Sequence, residues 1–175
     1  MPALSWQDVL SMPGSSSEDL APLRRVTLNG IKVLNVLIVD DNHADLAILK
    51  AAWAACSIVE SHVDVLDDAN LVMDYLLRRG DFKTVETPDL VLMDYCMPLG
   101  GVELLSKIRD NQQTAHMVVV VITGSCSPKD VFDSYRCHAN GCFQKPNSFD
   151  EVVELLEDIA RYWRRASMPH GVLKA

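Results

Sequence analysis

The chain has no run of about 18 apolar residues, so nothing in it reads as a membrane span. Its opening, MPALSWQDVLSMPG, has no basic start followed by an apolar stretch, so no secretory signal is expected and the expected compartment is the cytoplasm. Positive charge is scarce. Sixteen Lys and Arg face 24 Asp and Glu, a formal net charge of −8 that argues against non-specific nucleic-acid binding. The cysteines, Cys56, Cys96, Cys126, Cys137 and Cys142, are odd in number and none is spaced as CxxC. That excludes a zinc ribbon or a thioredoxin-type motif and leaves them as small buried hydrophobes of a reducing compartment. Histidines at 43, 62, 116, 138 and 170 are scattered. No HExxH, Ser-His-Asp, GxGxxG or GxxxxGK[ST] pattern occurs, so the usual hydrolase, metalloprotease and nucleotide-binding signatures are missing.

What is present is a 175-residue chain, 49% hydrophobic and 23% charged, enough for one domain with its own core plus an extension. Its most telling stretch is DLVLMDYCMP (89–98), an apolar run that ends in a bare carboxylate, Asp94. Such a run reads as a strand buried on both faces of a parallel sheet. The same grammar recurs from residue 33 onward. Strands are expected at 33–39, 62–66, 89–94, 117–123 and 141–144. Helices are expected at about 43–56, after Asp67-Asp68 with Leu71, Val72, Tyr75 and Leu76 on one face, from Gly101, at 128–137 and at 148–165. Ser148 and Glu151 form a capping box for the last helix, which buries Val152, Leu155, Leu156, Ile159 and Trp163. Five alternating strands and helices predict a doubly wound α/β fold with helices on both faces of a parallel sheet.

In that architecture all strand carboxyl ends share one rim, where ligands bind. Asp40 and Asp41 end the first strand, Asp94 the third and Thr123 the fourth, and Lys145 follows the fifth. Three carboxylates at one rim repel one another and invite a hard divalent cation, Mg²⁺, which takes oxygen ligands. A carboxylate supported by the cation and by Lys145 can attack phosphorus to give an aspartyl phosphate. Thr123, with backbone N–H groups near Cys96 and Gly124, would hold the remaining phosphoryl oxygen. A cis bond at Lys145-Pro146 could aim the lysine at the carboxylates.

These residues, in LIVDDN (37–42), LVLMDYCMP (91–98), VVVVITG (118–124) and QKP (144–146), resemble the receiver domain of two-component response regulators over about 33–165. The resemblance implies a five-stranded parallel sheet of order 2-1-3-4-5. It implies Asp94 as phosphoacceptor from a sensor histidine kinase, with Asp40, Asp41, Asp94 and the Cys96 carbonyl holding Mg²⁺. Thr123, Gly124, Cys96 and Lys145 contact the phosphoryl group, with Thr123 as switch hydroxyl. NHADLAILKAAW and SYRCHANGCFQKPNSFDEVVELLEDIARYW look like the single-domain regulators that partner phytochrome-type kinases. The expectation is a signalling protein and not an enzyme acting on a separate metabolite.

Departures from the family pattern sharpen the reading. The position three before the lysine, usually aromatic, is Cys142, with Phe143 beside it. The loop Met97–Gly101 is one residue shorter than usual, which would shift the start of the third helix. Cys96 and Ser125 stand at the positions that tune phosphoryl loss, and neither can orient a water, so slow dephosphorylation is expected. Two rivals stay open. One is a pseudo-receiver that scaffolds a partner without phosphorylation. The other is an aspartyl-phosphate phosphatase of the haloacid-dehalogenase kind, which would need an acid where Cys96 stands.

Residues 1–34 form an extension before the receiver at 35–165, and 166–175 a tail. Within 24–34, Asn29-Gly30 between alternating runs signals a β-hairpin. It would project beyond the central first strand as an arm that favours a homodimer, or belong to a leader without structure. Tyr162 and Trp163 cannot share one narrow stripe, so one of them is expected to be exposed.

Overall fold

A computed structural model of the chain describes residues 27–28, 31–57, 61–98, 100–124 and 126–166. The turn at Asn29-Gly30 and the position of Ser125 lie outside the described residues. In chain order the strands are β1 (Thr27–Leu28), β2 (Ile31–Lys32), β3 (Leu34–Val39), β4 (Ser61–Leu66), β5 (Leu90–Met93), β6 (Val118–Thr123) and β7 (Gly141–Gln144). The helices are α1 (His43–Ala55), α2 (Ala69–Leu76), α3 (Gly101–Asp110), α4 (Pro128–Arg136) and α5 (Phe149–Arg165).

Strands β3 to β7 form one parallel sheet in the order β4-β3-β5-β6-β7, the 2-1-3-4-5 order expected. Successive side chains leave opposite faces of a strand, and both faces are apolar. Leu34, Val36, Ile38, Leu92, Val120 and Ile122 pack with Leu49 and Trp53 of α1 and Leu156 and Ile159 of α5. Leu37, Val39, Val91, Met93, Val119 and Val121 pack under Val72 and Leu76 of α2 and Leu104 and Ile108 of α3. Truncating any of the fully buried Leu or Ile here would cost about 2–5 kcal/mol through lost transfer energy and the cavity left.

Helix starts are set by short polar side chains. Asn42 accepts from the N–H groups of Ala44 and Asp45, and Asp68 from that of Asn70. Ser127 and Asp130 cap α4 reciprocally. At α5, Ser148 accepts from the Glu151 N–H, one half of the box that the sequence suggests. Before α3, Gly100 has φ +80°, and a side chain on Gly101 would lie 2.7 Å from the Tyr95 backbone. Two glycines therefore let the short loop turn directly into a helix at Gly101. Arg109 of α3 then clamps the far end of the sheet, donating to the carbonyls of His138 (2.9 Å), Met117 (2.8 Å) and Ala115 (3.2 Å) and to Asn140 Oδ1 (2.9 Å).

Several side chains differ from expectation. Leu71 is 40% exposed; the buried stripe of α2 runs instead through Ala69, Val72, Tyr75 and Leu76, and Leu71 falls about 100° round the helix from Val72, at its flank. Leu155 and Trp163 are only partly buried, while Ala160 completes the inner stripe of α5. No cysteine is fully buried: Cys96 is exposed and the other four are intermediate. Of the aromatic pair, Tyr162 is exposed and packs edge-on against Trp163 at 4.9 Å between centroids. Strands β1 and β2 pair antiparallel, Thr27 with Lys32 and Leu28 with Ile31, as a two-stranded sheet separate from the main one. One residue, Val33, joins that pair to β3.

Candidate functional site: an acidic rim held by one lysine

Each strand end is carried one residue past its ladder by a further backbone bond. Asp40 N–H donates to the Leu66 carbonyl (3.1 Å), Asp94 N–H to that of Val39 (2.9 Å) and Lys145 N–H to that of Thr123 (2.8 Å). The parallel register thus fixes where the functional side chains start. Asp40 and Thr123 are fully buried, Asp94 is 6% exposed, and Asp41 stands exposed at the mouth.

Lys145 crosses this rim. Its Nζ lies 2.6 Å from Asp40 Oδ2, 2.8 Å from Asp45 Oδ2 and 3.0 Å from Asp94 Oδ1. The peptide bond before Pro146 is trans, so the expected cis bond is not what aims the lysine. The Thr123–Lys145 backbone bond and the three carboxylates suffice. Asp94 Oδ2 accepts from the Cys96 N–H at 2.6 Å, and Asp40 Oδ1 from the Asn42 N–H at 2.9 Å. Thr123 Oγ1 sits 3.6 Å from Cys96 Sγ. Gly124 is exposed, and the space where a Cβ would stand is open.

Charge stoichiometry governs the electrostatics. Burial alone would lower the Lys145 pKa, but the hydrogen bonds it donates to Asp40, Asp45 and Asp94 and the Asp94 charge outweigh it, so the ammonium is held above 10.5. Burial pushes the Asp40 carboxyl above 3.8, aided by the Asp94 charge and resisted by Lys145 and the Asn42 N–H. An isolated ion pair would lower its acid. Here one ammonium is divided among three acids, so Asp40 never receives a full counter-charge.

Asp40, Asp41 and Asp94 each bring a carboxylate oxygen within 4.8 Å of the other two. An all-oxygen, negatively over-charged cluster fits a hard divalent cation and not a soft one. Of the sequence-predicted residues, Asp40, Asp41, Asp94 and Lys145 thus meet at one rim, Cys96 joins them through its N–H to Asp94 and Thr123 through its contact with Cys96 Sγ, and Gly124 follows Thr123 in the chain. Asp45 was missed. Its signal was the spacing in DDNHAD, a carboxylate one helical turn after Asp41 in the first turn of α1.

A 2-1-3-4-5 parallel sheet with this acid-and-lysine rim defines a receiver-type signalling fold. Residues 36–157 match the response regulator receiver domain, and the chain belongs to that family. Among its relatives, the response regulator Rcp1 of Synechocystis is 27% identical, over 73% of this chain and 87% of its own length. The Mn²⁺-bound form of Rcp1 superposes with a TM-score of 0.69, covering 78% of this chain and 99% of its own. The phosphorylated cyanobacterial phytochrome response regulator RcpA is 29% identical with a TM-score of 0.71, covering 78% and 98% of the two chains. RPA3017, a response regulator in red light signalling of R. palustris, is 26% identical with a TM-score of 0.74, covering 79% and 99%.

Proposed function

We propose that the chain is a phosphoacceptor whose Asp94 takes a phosphoryl group from the phosphohistidine of a sensor histidine kinase. An Asp94 oxygen attacks phosphorus, a P–O bond forms, the P–N bond to histidine breaks, and the imidazole leaves. The observation that carries this reading is the Lys145 ammonium poised between Asp40 and Asp94. It can follow the negative charge from the carboxylate onto the phosphoryl oxygens with little reorganisation. The Thr123 hydroxyl and the N–H groups at Cys96 and Gly124 would receive the other oxygens. Asp40, Asp41, Asp94 and the Cys96 carbonyl would hold Mg²⁺, which when bound supplies charge neutralisation beside the transferring group. That the relative Rcp1 has a Mn²⁺-bound form supports a divalent cation here.

Partnership with a phytochrome-type kinase in the cytoplasm rests on the relatives, two of which are described as phytochrome or red-light regulators. The exposed Cys96 has no group that orients water, which supports slow loss of the phosphoryl group. The β1–β2 pair supports a homodimer in which each copy's arm finds unpaired strand edges on the other. Phosphorylation would then shift a pre-existing equilibrium of surfaces or assembly.

The test is incubation with Mg²⁺ and acetyl phosphate, read by intact mass and size-exclusion chromatography, beside Asp94→Asn. A single phosphoryl gain in the wild type alone is expected, with any elution change reporting assembly. Equal gain in Asp94→Asn would move the acceptor elsewhere. No gain from acetyl phosphate or from a histidine-phosphorylated kinase domain would put the scaffold reading first.

A further inference from the structure

A lysine ammonium carries three N–H donors on a flexible four-carbon stem, so its direction is set by whatever accepts from it. At the rim each donor of Lys145 has an acid within reach: Asp40 at 2.6 Å, Asp45 at 2.8 Å and Asp94 at 3.0 Å. Asp40 and Asp94 follow the ends of two neighbouring strands, β3 and β5. Asp45 comes from a different element, the first turn of α1.

A closed ring of hydrogen bonds holds Asp45 against the strand end. The Asn42 N–H donates to Asp40 Oδ1 (2.9 Å). Asn42 Oδ1, the cap of α1, accepts from the N–H groups of Ala44 (3.0 Å) and Asp45 (3.5 Å). Lys145 Nζ then donates to Asp45 Oδ2 and to Asp40 Oδ2, which brings the bonds back to where they began. The corner between β3 and α1 thus presents two carboxylates to the lysine, each held relative to the other. Two acceptors alone, Asp40 and Asp94, would leave the ammonium free to swing about the line that joins them. A third removes that freedom. Asp41, next to Asp40 in the chain, makes no such contact with Lys145 among the described residues, so acidity near the rim is not enough.

We propose that Asp45 is a positioning residue for phosphoryl transfer, holding the Lys145 ammonium so that its remaining N–H is directed at Asp94. The inference rests on the reading of Asp94 as the acceptor. Asp40 and Asp45 each occupy one donor, and the third is left where negative charge passes from the carboxylate to the phosphoryl oxygens. A donor already aimed there needs no reorientation during the transfer. Asp45 touches neither phosphorus nor the attacking oxygen; it acts through the lysine.

The full chain, labelled with ¹⁵N, is compared with Asp45→Ala, Asp45→Ser and Asp45→Asn in two measurements. The first is the lysine ammonium region of the proton–nitrogen NMR spectrum, where a held and shielded ammonium gives a signal and a freely exchanging one does not. Wild type should show a signal that Lys145→Met removes. It should vanish in Asp45→Ala and Asp45→Ser, whose side chains cannot reach Nζ, and persist in Asp45→Asn, whose amide oxygen can. The second is the rate of phosphoryl uptake from acetyl phosphate with Mg²⁺, read by intact mass. Asp45→Ala and Asp45→Ser should be about tenfold slower than wild type, the effect of a misplaced group, and Asp45→Asn should recover most of the loss. No ammonium signal in wild type, or an unchanged one in Asp45→Ala, would overturn the proposal. So would uptake in Asp45→Ala at the wild-type rate or faster, or Asp45→Asn as slow as Asp45→Ala. If wild type takes up no phosphoryl group, the acceptor reading fails by itself, and the ammonium spectra still decide whether Asp45 holds the lysine.

Discussion

A lone carboxylate and a carboxylate cluster sit on the same sheet and behave oppositely. On the edge strand β4, Asp64 is fully partnered: Oδ2 accepts from the Tyr75 hydroxyl at 2.5 Å, and Oδ1 faces His62 Nε2 at 3.4 Å. Tyr75 is in turn packed against Phe82, with ring centroids 5.3 Å apart. At the rim, by contrast, Asp40, Asp45 and Asp94 divide a single ammonium, and Asp41 adds a fourth negative charge at the mouth. The first arrangement uses one acid to tie a helix to a strand. The second leaves negative charge uncompensated at the strand ends, an arrangement that is useful only if something positive or electrophilic comes to it. An acid held by hydrogen bonds does not by itself mark a site; the stoichiometry of acids with donors and cations does.

The largest effect is expected from removing the shared cation. Lys145→Met would leave Asp40 buried without its principal counter-charge, at a cost of about 3 kcal/mol in metal-free buffer at pH 7. The pH dependence has a definite sign. The Asp40 pKa, already above 3.8 in the folded protein, would rise further in the variant. A raised acid contributes stability below its unfolded value and loses it as pH rises through the folded value. The deficit against wild type is therefore widest near neutrality and closes on acidification toward pH 3.8. Urea unfolding at several pH values reads this directly. A deficit that does not change with pH would mean that Lys145 acts by packing alone.

Most of this contrast could be read in the chain, and the reason is topological. A parallel sheet delivers every strand's carboxyl end to one rim, so apolar runs ending in Asp40, Asp94, Thr123 and Lys145 locate the pocket without coordinates. What could not be read depended on side-chain direction within a helix turn or on contacts across elements. Asp45 lies in the first turn of α1, where the DDNHAD spacing hints at it but only the built helix places it against Lys145. Leu71 looked like core because it borders the stripe of Ala69, Val72, Tyr75 and Leu76 on α2. The trans bond before Pro146 shows that a lysine's reach, and not a special peptide geometry, closes the site.

The edge cluster offers the next test. Tyr75→Phe removes one hydrogen bond to a charged acceptor and is expected to cost about 2 kcal/mol. It should leave phosphoryl uptake by Asp94 unchanged. Burial, then the Asp64 hydrogen bond and charge, hold the Tyr75 pKa well above 10.0. The stability that the hydroxyl contributes is therefore complete below pH 10 and is lost as pH rises through its folded value. The gap between wild type and Tyr75→Phe should narrow above pH 10. The alkaline loss due to Lys145, which begins above 10.5, is common to both proteins and cancels in the difference. Altered phosphoryl uptake in Tyr75→Phe would show that the two clusters are coupled after all.

The smallest effect separates the clusters most sharply, because its sign inverts the usual expectation for losing a polar residue. Asp41 is exposed, and no ion pair to Lys145 or any other cation holds it among the described residues. In metal-free buffer its charge only adds to the repulsion around Asp40 and Asp94. Asp41→Asn should therefore stabilise the protein, by about 0.5 kcal/mol after solvent screening, and the gain should fade in high salt. Saturating Mg²⁺ should reverse the order. Wild type gains from ligand binding to the folded state, by about 2.7 kcal/mol at a hundred times the dissociation constant, while the variant, with a neutral amide oxygen in place of a carboxylate, gains less. Thermal melts with and without Mg²⁺ give both signs in one experiment. If Asp41→Asn destabilises the metal-free protein, the rim is not over-charged, and the distinction between a satisfied cluster and a waiting one fails.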